Sequence, residues 1–219
     1  MEENKLMNLN EEIPKEFFVF VNYSNPITLN NIELTKQFTS SGISEALISK
    51  EKLEEYLTGK MQFAPYIPNS NCINSISPFL LSVTKEYTIE YEAEYIRSTY
   101  FPLYPSRFSS TFAFGDYETC EKVSKLYGWS LETVRKFKLI PTPFNKVVKV
   151  NMEHISLIRA IKNRAMFSRD DIDNIWKSYW KGEKELKLEI PSGLGNEKEF
   201  INSGTIYEYL IEGTLRVID

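Results

Sequence analysis

A glutamate near the end of the chain, Glu208, stands in a setting where a carboxylate can do chemistry. It lies near the start of an apolar-rich segment, residues 207–211, which a tight turn at Glu212-Gly213 connects to a second apolar segment, residues 214–218. This pattern predicts a β-hairpin. A carboxylate held rigidly at the start of such a strand can stabilise positive charge that develops during a reaction. The alternative is a solvent-facing strand residue, because most strand carboxylates lie on the surface.

The middle of the chain carries a second group of side chains suited to ligand binding. Arg97 and Arg107 could each place a forked guanidinium on phosphate oxygens. Arg107 is the stronger candidate because it adjoins a hydroxyl-rich run that contains Ser109 and Ser110. For Arg97 the alternative is an i,i+3 ion pair with Glu94 on a predicted helix. The two serines can equally form part of a core strand or line a ligand.

Both segments resemble parts of the ADP-ribosyltransferase superfamily. In its closing hairpin a catalytic Glu opens a strand, apolar residues follow, and a Gly-Thr turn leads to a short apolar strand; Glu208 occupies that opening position. Glu94-Tyr95-Ile96-Arg97 followed by Pro105-Ser106-Arg107 resembles a small bacterial and phage family that is grouped with this superfamily. Phe108-Ser109-Ser110-Thr111 resembles the aromatic-Ser-Thr-Ser strand that braces the nicotinamide pocket.

The resemblance implies NAD as the substrate, no metal, and transfer of ADP-ribose to a protein or nucleic-acid acceptor. Glu208 would stabilise the oxocarbenium-like ribose that forms when nicotinamide leaves, and would accept a hydrogen bond from the ribose 2′-hydroxyl. The first predicted strand ends in Asn22-Tyr23 and has neither the Arg nor the His of the superfamily. Tyr23 could stack on nicotinamide, or it could equally be a strand-end aromatic in the core. The residues implied in NAD binding are Arg107, Ser109, Ser110, Tyr23 and Arg97.

The resemblance identifies the acceptor and the biological setting only in part. Ile206 stands two residues before Glu208, where arginine-modifying transferases carry Gln or Glu, so arginine is not the expected acceptor. The resemblance implies a toxin, phage-defence or counter-defence effector, and it leaves open whether a partner protein neutralises the activity. Three alternatives stay open: a NAD glycohydrolase, a catalytically inactive interaction protein of the same fold, and a nucleic-acid-binding module that stacks bases on Tyr100, Tyr104 and Trp176.

Composition limits the class of protein. The 219 residues fit one domain, and 26 Lys and Arg against 30 Asp and Glu give a net charge of −4, so no global positive field attracts nucleic acid or an anionic membrane. No apolar run approaches the roughly 20 residues of a membrane span, which predicts a cytoplasmic protein without a membrane partner. Cys72 and Cys120 are expected to be reduced and buried, with one disulfide as the alternative. The single histidine, His154, is expected to be structural.

We predict one ADP-ribosyltransferase-like α+β domain over residues 1–219, with two small, mostly antiparallel sheets packed face to face and helices around them. Strands are expected at residues 17–23, 107–114, 146–150 and 185–190 and in the final hairpin. Helices are expected at residues 43–58 (broken once), 84–100, 117–127, 130–138 and 153–181 (interrupted near 168). Residues 1–12 are expected to be loose and residues 27–80 to form an insertion or lid. The stripe of Tyr87, Tyr91 and Tyr95 is expected to serve packing rather than to form a cofactor box.

Overall fold

Antiparallel sheets and seven α-helices make up the part of the chain that the computed structural model describes, residues 13–62, 87–161, 169–191 and 198–218. The strands are β1 (Phe17–Phe20), β2 (Gln37–Thr39), β3 (Thr111–Ala113), β4 (Val134–Leu139), β5 (Lys146–Asn151), β6 (Lys187–Pro191), β7 (Lys198–Asn202), β8 (Tyr207–Glu212) and β9 (Thr214–Val217). The helices are α1 (Pro26–Asn30), α2 (Ser41–Ala46), α3 (Lys50–Leu57), α4 (Tyr87–Tyr100), α5 (Tyr117–Tyr127), α6 (Glu153–Ile161) and α7 (Arg169–Trp180). A π-helical turn covers Asn31–Thr35 and a 3-10 turn covers Leu131–Thr133.

Two larger sheets are connected by the final hairpin. The four-stranded sheet has the order β1-β4-β9-β2, the three-stranded sheet has the order β3-β8-β5, and β6 pairs with β7. Strands β8 and β9 belong to different sheets although only Gly213 separates them. A Cβ atom on Gly213 would lie 2.8 Å from Leu139 Cδ1 and 2.9 Å from Asn145 Oδ1, so this tightly packed turn requires glycine.

A shared apolar core lies between the two larger sheets. Its buried members include Phe17, Phe137 and Leu215 from the four-stranded sheet and Ala113, Val147 and Ile211 from the three-stranded sheet. The two sheets therefore pack against each other through alternate residues of their strands. The predicted α+β class with small antiparallel sheets is confirmed.

Helices cover the opposite face of the three-stranded sheet. Val150 and Leu210 of that sheet share a core cluster with buried residues of α4, α6 and α7. The Trp180 Nε1 atom donates to the Ala93 carbonyl oxygen at 2.9 Å, which links α7 to α4. This helical layer is the environment into which the even-numbered residues of β8 project.

The predicted helix over residues 130–138 is wrong. Residues 131–133 make a single 3-10 turn, and the rest of the segment forms β4. The buried Val134 and Phe137 stand three residues apart, which imitates a helical period. Strand β4 instead pairs with β1 on one side and β9 on the other, and this double pairing satisfies its backbone groups.

The predicted strand over residues 107–114 is shorter than expected. Strand β3 covers only its last part, and residues 107–109 form a turn. The amides of Ser109 and Ser110 donate to the Ser106 carbonyl oxygen at 3.2 and 3.0 Å. The two serines therefore lie in the turn before the strand, where local hydrogen bonds replace sheet pairing.

Most predicted helices are confirmed. The break expected within residues 43–58 falls between α2 and α3, and α5 has the predicted bounds. Helix α4 covers the described part of residues 84–100, and α6 and α7 cover the described parts of residues 153–181 except Lys181. Beyond the predicted strand at 185–190, β7 adds an unpredicted partner for β6.

The tyrosine stripe on α4 does not pack in the core. Tyr91 and Tyr95 are each 44% exposed, whereas Ile89, Ala93 and Ile96 are buried. The apolar stripe next to the tyrosines is therefore the core face, since a tyrosine can keep its hydroxyl in water. The side chain of Tyr87 lies outside the described part of the structure.

Part of the segment predicted to be an insertion contributes to the sheet. Strand β2 pairs with β9 at the edge of the four-stranded sheet. Residues 1–12 and residues 63–80 of the predicted insertion or lid, with Cys72, lie outside the described residues. Cys120 is a buried free thiol on α5.

Candidate active site

Strand β8 places Glu208 against the helices. Residues 208, 210 and 212 share one face of the strand because successive strand side chains alternate. Val150 is the cross-strand partner of Glu208, and both face the helical layer. Glu208 is 6% exposed, so it is not the solvent-facing strand residue of the alternative interpretation.

Arg107 joins Glu208 to α4. Its Nη1 atom donates to Glu208 Oε1 at 3.1 Å. Its Nε and Nη2 atoms donate to the two carboxylate oxygens of Glu90 at 2.7 and 3.2 Å. The turn that contains Arg107 follows α4 closely in sequence, which returns the guanidinium beneath the helix that carries Glu90. Charge-assisted bonds of this forked kind fix both partners in position.

Tyr179 of α7 completes the group. Its hydroxyl accepts a hydrogen bond from Arg107 Nη1 and donates one to Glu208 Oε1 at 3.4 Å. The Arg107 guanidinium carbon also lies 4.9 Å from the ring centroid of Phe112 and 5.5 Å from that of Tyr179. We call Glu90, Arg107, Tyr179 and Glu208 the Arg107 cluster.

Burial and neighbouring charges shift the pKa values of Glu208 and Arg107 in opposite directions. Burial raises the pKa of Glu208 above its usual value, and the neighbouring Arg107 opposes that rise. Burial would lower the pKa of Arg107, but Glu90, Tyr179 and Glu208 outweigh it and raise this pKa well above its usual value. Arg107 therefore stays protonated. Arg159 brings a second positive charge, since its Nη2 atom lies 3.7 Å from Glu90 Oε1.

Arg97 belongs to a neighbouring ionic group one helical turn along α4. It binds Glu94 through Nε and Nη2 at 2.9 and 2.8 Å, which confirms the i,i+3 ion pair weighed for it. Its Nη1 atom donates to the carbonyl oxygens of Pro102 and Tyr104 at 3.1 and 3.0 Å. Arg97 therefore anchors the end of α4 to the following turn.

Ser106 connects this group to the second buried glutamate of β8. Its hydroxyl donates to Glu94 Oε2 at 2.8 Å, and its amide donates to Glu212 Oε1 at 3.0 Å. Ser109 donates its hydroxyl to the same oxygen of Glu212. Lys146 Nζ lies 4.0 Å from Glu212 Oε2, and burial lowers the pKa of Lys146 to about 8.

Two predicted site residues are placed differently from the rest. The Ser110 hydroxyl donates to the Ser106 carbonyl oxygen at 2.6 Å and so stabilises the turn. Tyr23 packs against the core between the sheets, where the guanidinium of Arg135 lies 5.1 Å from its ring centroid. The structure thus brings Arg107 directly to Glu208, places Arg97 and Ser109 in the adjoining group, and puts Tyr23 in another part of the core.

Several members of these groups were not predicted from the sequence as site residues, among them Glu90, Ser106, Lys146, Tyr179 and Glu212. A signal for two of them exists, because Glu90 and Glu94 are four apart on a helix and Glu208 and Glu212 are four apart on a strand. Each spacing places two carboxylates on one face of its element. Tyr179 has no such signal, since it comes from a distant helix.

The Arg107 cluster can hold a carboxylate rigidly in surroundings of low dielectric constant, where its charge acts strongly on a nearby cation. In the described ranges no group of three or more His, Cys, Asp and Glu side chains is placed to hold a metal ion. The helices in those ranges are all too short or too polar to cross a membrane.

Comparison with known proteins identifies the family. No curated protein matches the chain. A family described as Protein of unknown function (DUF2441) matches residues 1–192, a range that contains Glu90, Arg107 and Tyr179 and ends before β8. Because this match covers most of the 219 residues, the chain belongs to the DUF2441 family.

Proposed function

We propose that the protein is a mono-ADP-ribosyltransferase that transfers ADP-ribose from NAD to a macromolecular acceptor, with Glu208 as the catalytic carboxylate. The observation that carries the proposal is the burial of Glu208 at the start of β8, where Arg107 and Tyr179 hold one of its oxygens. The position of Glu208 in a hairpin that resembles the closing hairpin of known transferases supports the same assignment.

The proposed reaction breaks the bond between the nicotinamide nitrogen and ribose C1′. Nicotinamide leaves with the bonding electrons, a nucleophile of the acceptor forms a bond to C1′, and the nucleophile loses its proton. Glu208 would oppose the positive charge that develops on the ribose. Before NAD binds, Arg107 and Tyr179 would act as positioning residues, because they contact the carboxylate and fix its orientation.

The residue types of the Arg107 cluster suit NAD binding, but NAD can reach these side chains only if part of the protein moves. The side chains of Arg107 and Glu208 are only 5% and 8% exposed. Glu90 holds the Nε and Nη2 side of Arg107, so Nη1 is the part of the guanidinium that could exchange Glu208 for a phosphate oxygen. The proposal therefore requires α4 or α7 to move away from β8 when NAD binds.

Transfer of label from NAD tests the proposal. Purified wild-type protein and Glu208→Gln are incubated with NAD labelled in the adenylate part, in bacterial lysate, and label is followed into the protein and nucleic-acid fractions. Glu189→Gln, which changes an exposed strand glutamate, is the matched control. We expect transfer by the wild type and by Glu189→Gln, and its loss in Glu208→Gln. Nicotinamide release without transfer would instead support a NAD glycohydrolase.

A catalytically inactive interaction protein is the second candidate. Two observations favour it: Glu208 and Arg107 already satisfy each other inside the protein, and the region around α1, α2 and α3 exposes apolar side chains. Ile27, Leu34, Leu47 and Ile48 are 68%, 76%, 60% and 69% exposed. Absence of NAD turnover in both the wild type and Glu208→Gln would favour this candidate. Trp176 is 1% exposed, so it does not offer a surface on which a base could stack, and this weakens the nucleic-acid-binding alternative.

A further inference from the structure

A pocket of about 280 Å³ opens beside the three-stranded sheet, and it is separate from the Arg107 cluster. Tyr207 and Tyr209 of β8 and Lys149 of β5 line its inner side. Asp116, Thr119 and Lys122 from the start of α5 line the other side. No activity proposed above uses these residues.

Strand register places the pocket on the sheet face opposite Glu208. Lys149 is paired with Tyr209, whereas the next pair along the strands is Val150 with Glu208. Since neighbouring pairs point to opposite faces, Lys149 and Tyr209 face away from the helical layer that surrounds Glu208. A ligand in this pocket would therefore not contact the Glu208 carboxylate.

The inner side combines aromatic rings with a positive charge. The Lys149 ammonium lies 4.3 Å from the ring centroid of Tyr207. The Tyr209 ring is held edge-on against Phe17, with 5.5 Å between the ring centroids. A Cβ atom on Gly115 would lie 3.0 Å from Tyr209 Cε2, so glycine allows this ring to approach the chain closely. Fixed tyrosine rings offer a surface on which a planar ring can stack.

The outer side adds a helix N-terminus and a second lysine. Asp116 caps α5, and its carboxylate accepts a hydrogen bond from the Thr119 amide at 2.7 Å. The one acidic side chain of the lining is therefore already bound to the helix. Lys122 pairs with Glu118 at 2.9 Å, and these side chains are 59% and 75% exposed. An exposed pair of this kind contributes little stability, so Lys122 can turn to a bound anion at low cost. The N-terminus of α5 carries the positive end of the helix dipole, which also favours a bound anion.

We propose that this pocket binds a planar aromatic ring that carries one anionic group, of the size of a nucleoside monophosphate. The ring would stack on Tyr207 or Tyr209, and the anion would lie between Lys122, Lys149 and the start of α5. The volume is near the lower limit of ligand pockets, about 300 Å³, which suits one nucleotide rather than a dinucleotide.

Titration calorimetry with AMP, adenosine and inorganic phosphate tests this site on the full chain. We expect AMP to bind, and adenosine and phosphate each to bind at least about tenfold more weakly, because each provides only half of the contacts. Failure of AMP to bind at millimolar concentration would overturn the proposal. Equal affinity for AMP and phosphate would overturn the aromatic part of it.

Three variants locate the binding. Thr119→Phe fills the pocket and should abolish AMP binding, and Lys122→Ala should weaken it several-fold. Lys125→Ala, on an exposed position of the same helix, is the matched control and should bind as the wild type does. Glu208→Gln should also leave AMP binding unchanged. AMP binding that is lost in Glu208→Gln but retained in Thr119→Phe would place the nucleotide at the Arg107 cluster and contradict a separate pocket.

Discussion

The Arg107 cluster and the adjoining side chains of Glu94, Arg97, Ser106, Ser109 and Glu212 form a buried ionic layer. Arg107 connects two of its carboxylates. One guanidinium serves two carboxylates that come from different elements, Glu90 on α4 and Glu208 on β8. Glu90 receives two of its hydrogen bonds and Glu208 receives one. A buried charge that loses its partner is expensive, so the two glutamates should differ in their importance for stability.

The first prediction compares the two glutamates by urea unfolding. Glu208→Gln should unfold within about 1 kcal/mol of the wild type, because Arg107 keeps its forked pair with Glu90 and the amide oxygen can still accept from Nη1. Glu90→Gln should lose roughly 3 kcal/mol, because the forked pair itself is broken. A larger loss in Glu208→Gln than in Glu90→Gln would contradict this division of roles.

The second prediction concerns His154. It is fully buried, and neither ring nitrogen has a hydrogen-bond partner among the described residues. Burial lowers its pKa from 6.5 to about 4, against the opposing influence of Glu183. As the pH falls, the unfolded chain therefore takes up this proton first, and stability that is present above pH 6.5 is lost between pH 6.5 and pH 4.

Unfolding measured across that pH range in the wild type and in His154→Leu checks the effect. The leucine variant cannot take up the proton, so its unfolding free energy should fall less steeply. Between pH 6.5 and pH 4 the wild type should lose about 3 kcal/mol more unfolding free energy than His154→Leu does. Parallel pH dependence of the two proteins would show that His154 does not contribute.

Single residues were predicted where a local pattern identifies them. Glu208 was selected from its place in the hairpin, and its catalytic role stays a prediction. The Arg97–Glu94 pair follows from helical spacing and is confirmed. Arg107 was selected for phosphate binding, whereas its observed partners are two carboxylates and a tyrosine. Tyr179 could not be predicted, because its contact with Glu208 depends on how α7 packs against β8.

At the scale of elements, the short helix α2 approaches β8 closely. A Cβ atom on Gly42 would lie 2.9 Å from Glu212 Oε1 and 3.1 Å from the Ser109 hydroxyl oxygen. The helix can occupy this position only because Gly42 has no side chain. The same contact brings residues from the segment predicted to be an insertion directly to the buried ionic layer.

The third prediction is that Gly42→Ala destabilises the protein, although alanine favours helices by up to about 1 kcal/mol over glycine. Overpacking against Glu212 should dominate and lower the unfolding free energy by on the order of 2 kcal/mol. Ser44→Ala, at an exposed position of the same helix, is the control and should change little. A gain in the thermal midpoint of Gly42→Ala would contradict the close packing of α2 on β8.

Elements were predicted best where local pattern and tertiary packing agree. The final hairpin and the break between α2 and α3 follow from turn residues and apolar spacing. Val134 and Phe137 of strand β4 have helical spacing, and only the position of this strand between β1 and β9 distinguishes it from the predicted helix. Strand β7 was missed because it is defined by its pairing with β6.

At the scale of the whole molecule, the three-stranded sheet separates two polar environments. Its helix-covered face carries Glu208 and Glu212 in the buried ionic layer, and its other face carries Lys149 and Tyr209 beside the open pocket. The α+β class was predictable from the succession of elements. The ionic layer was not, because it assembles residues that are up to 122 positions apart, from Glu90 to Glu212.

The most direct test of the central proposal is the rate of nicotinamide release from NAD by the wild type and by Glu208→Gln, measured in the presence of lysate as a source of acceptor. Loss of the catalytic carboxylate should slow release by at least about 100-fold. Folding of the variant, checked by urea unfolding as above, ensures that the loss reflects chemistry. Release at the same rate by both proteins, or no release by a folded wild type, would contradict the role assigned to Glu208.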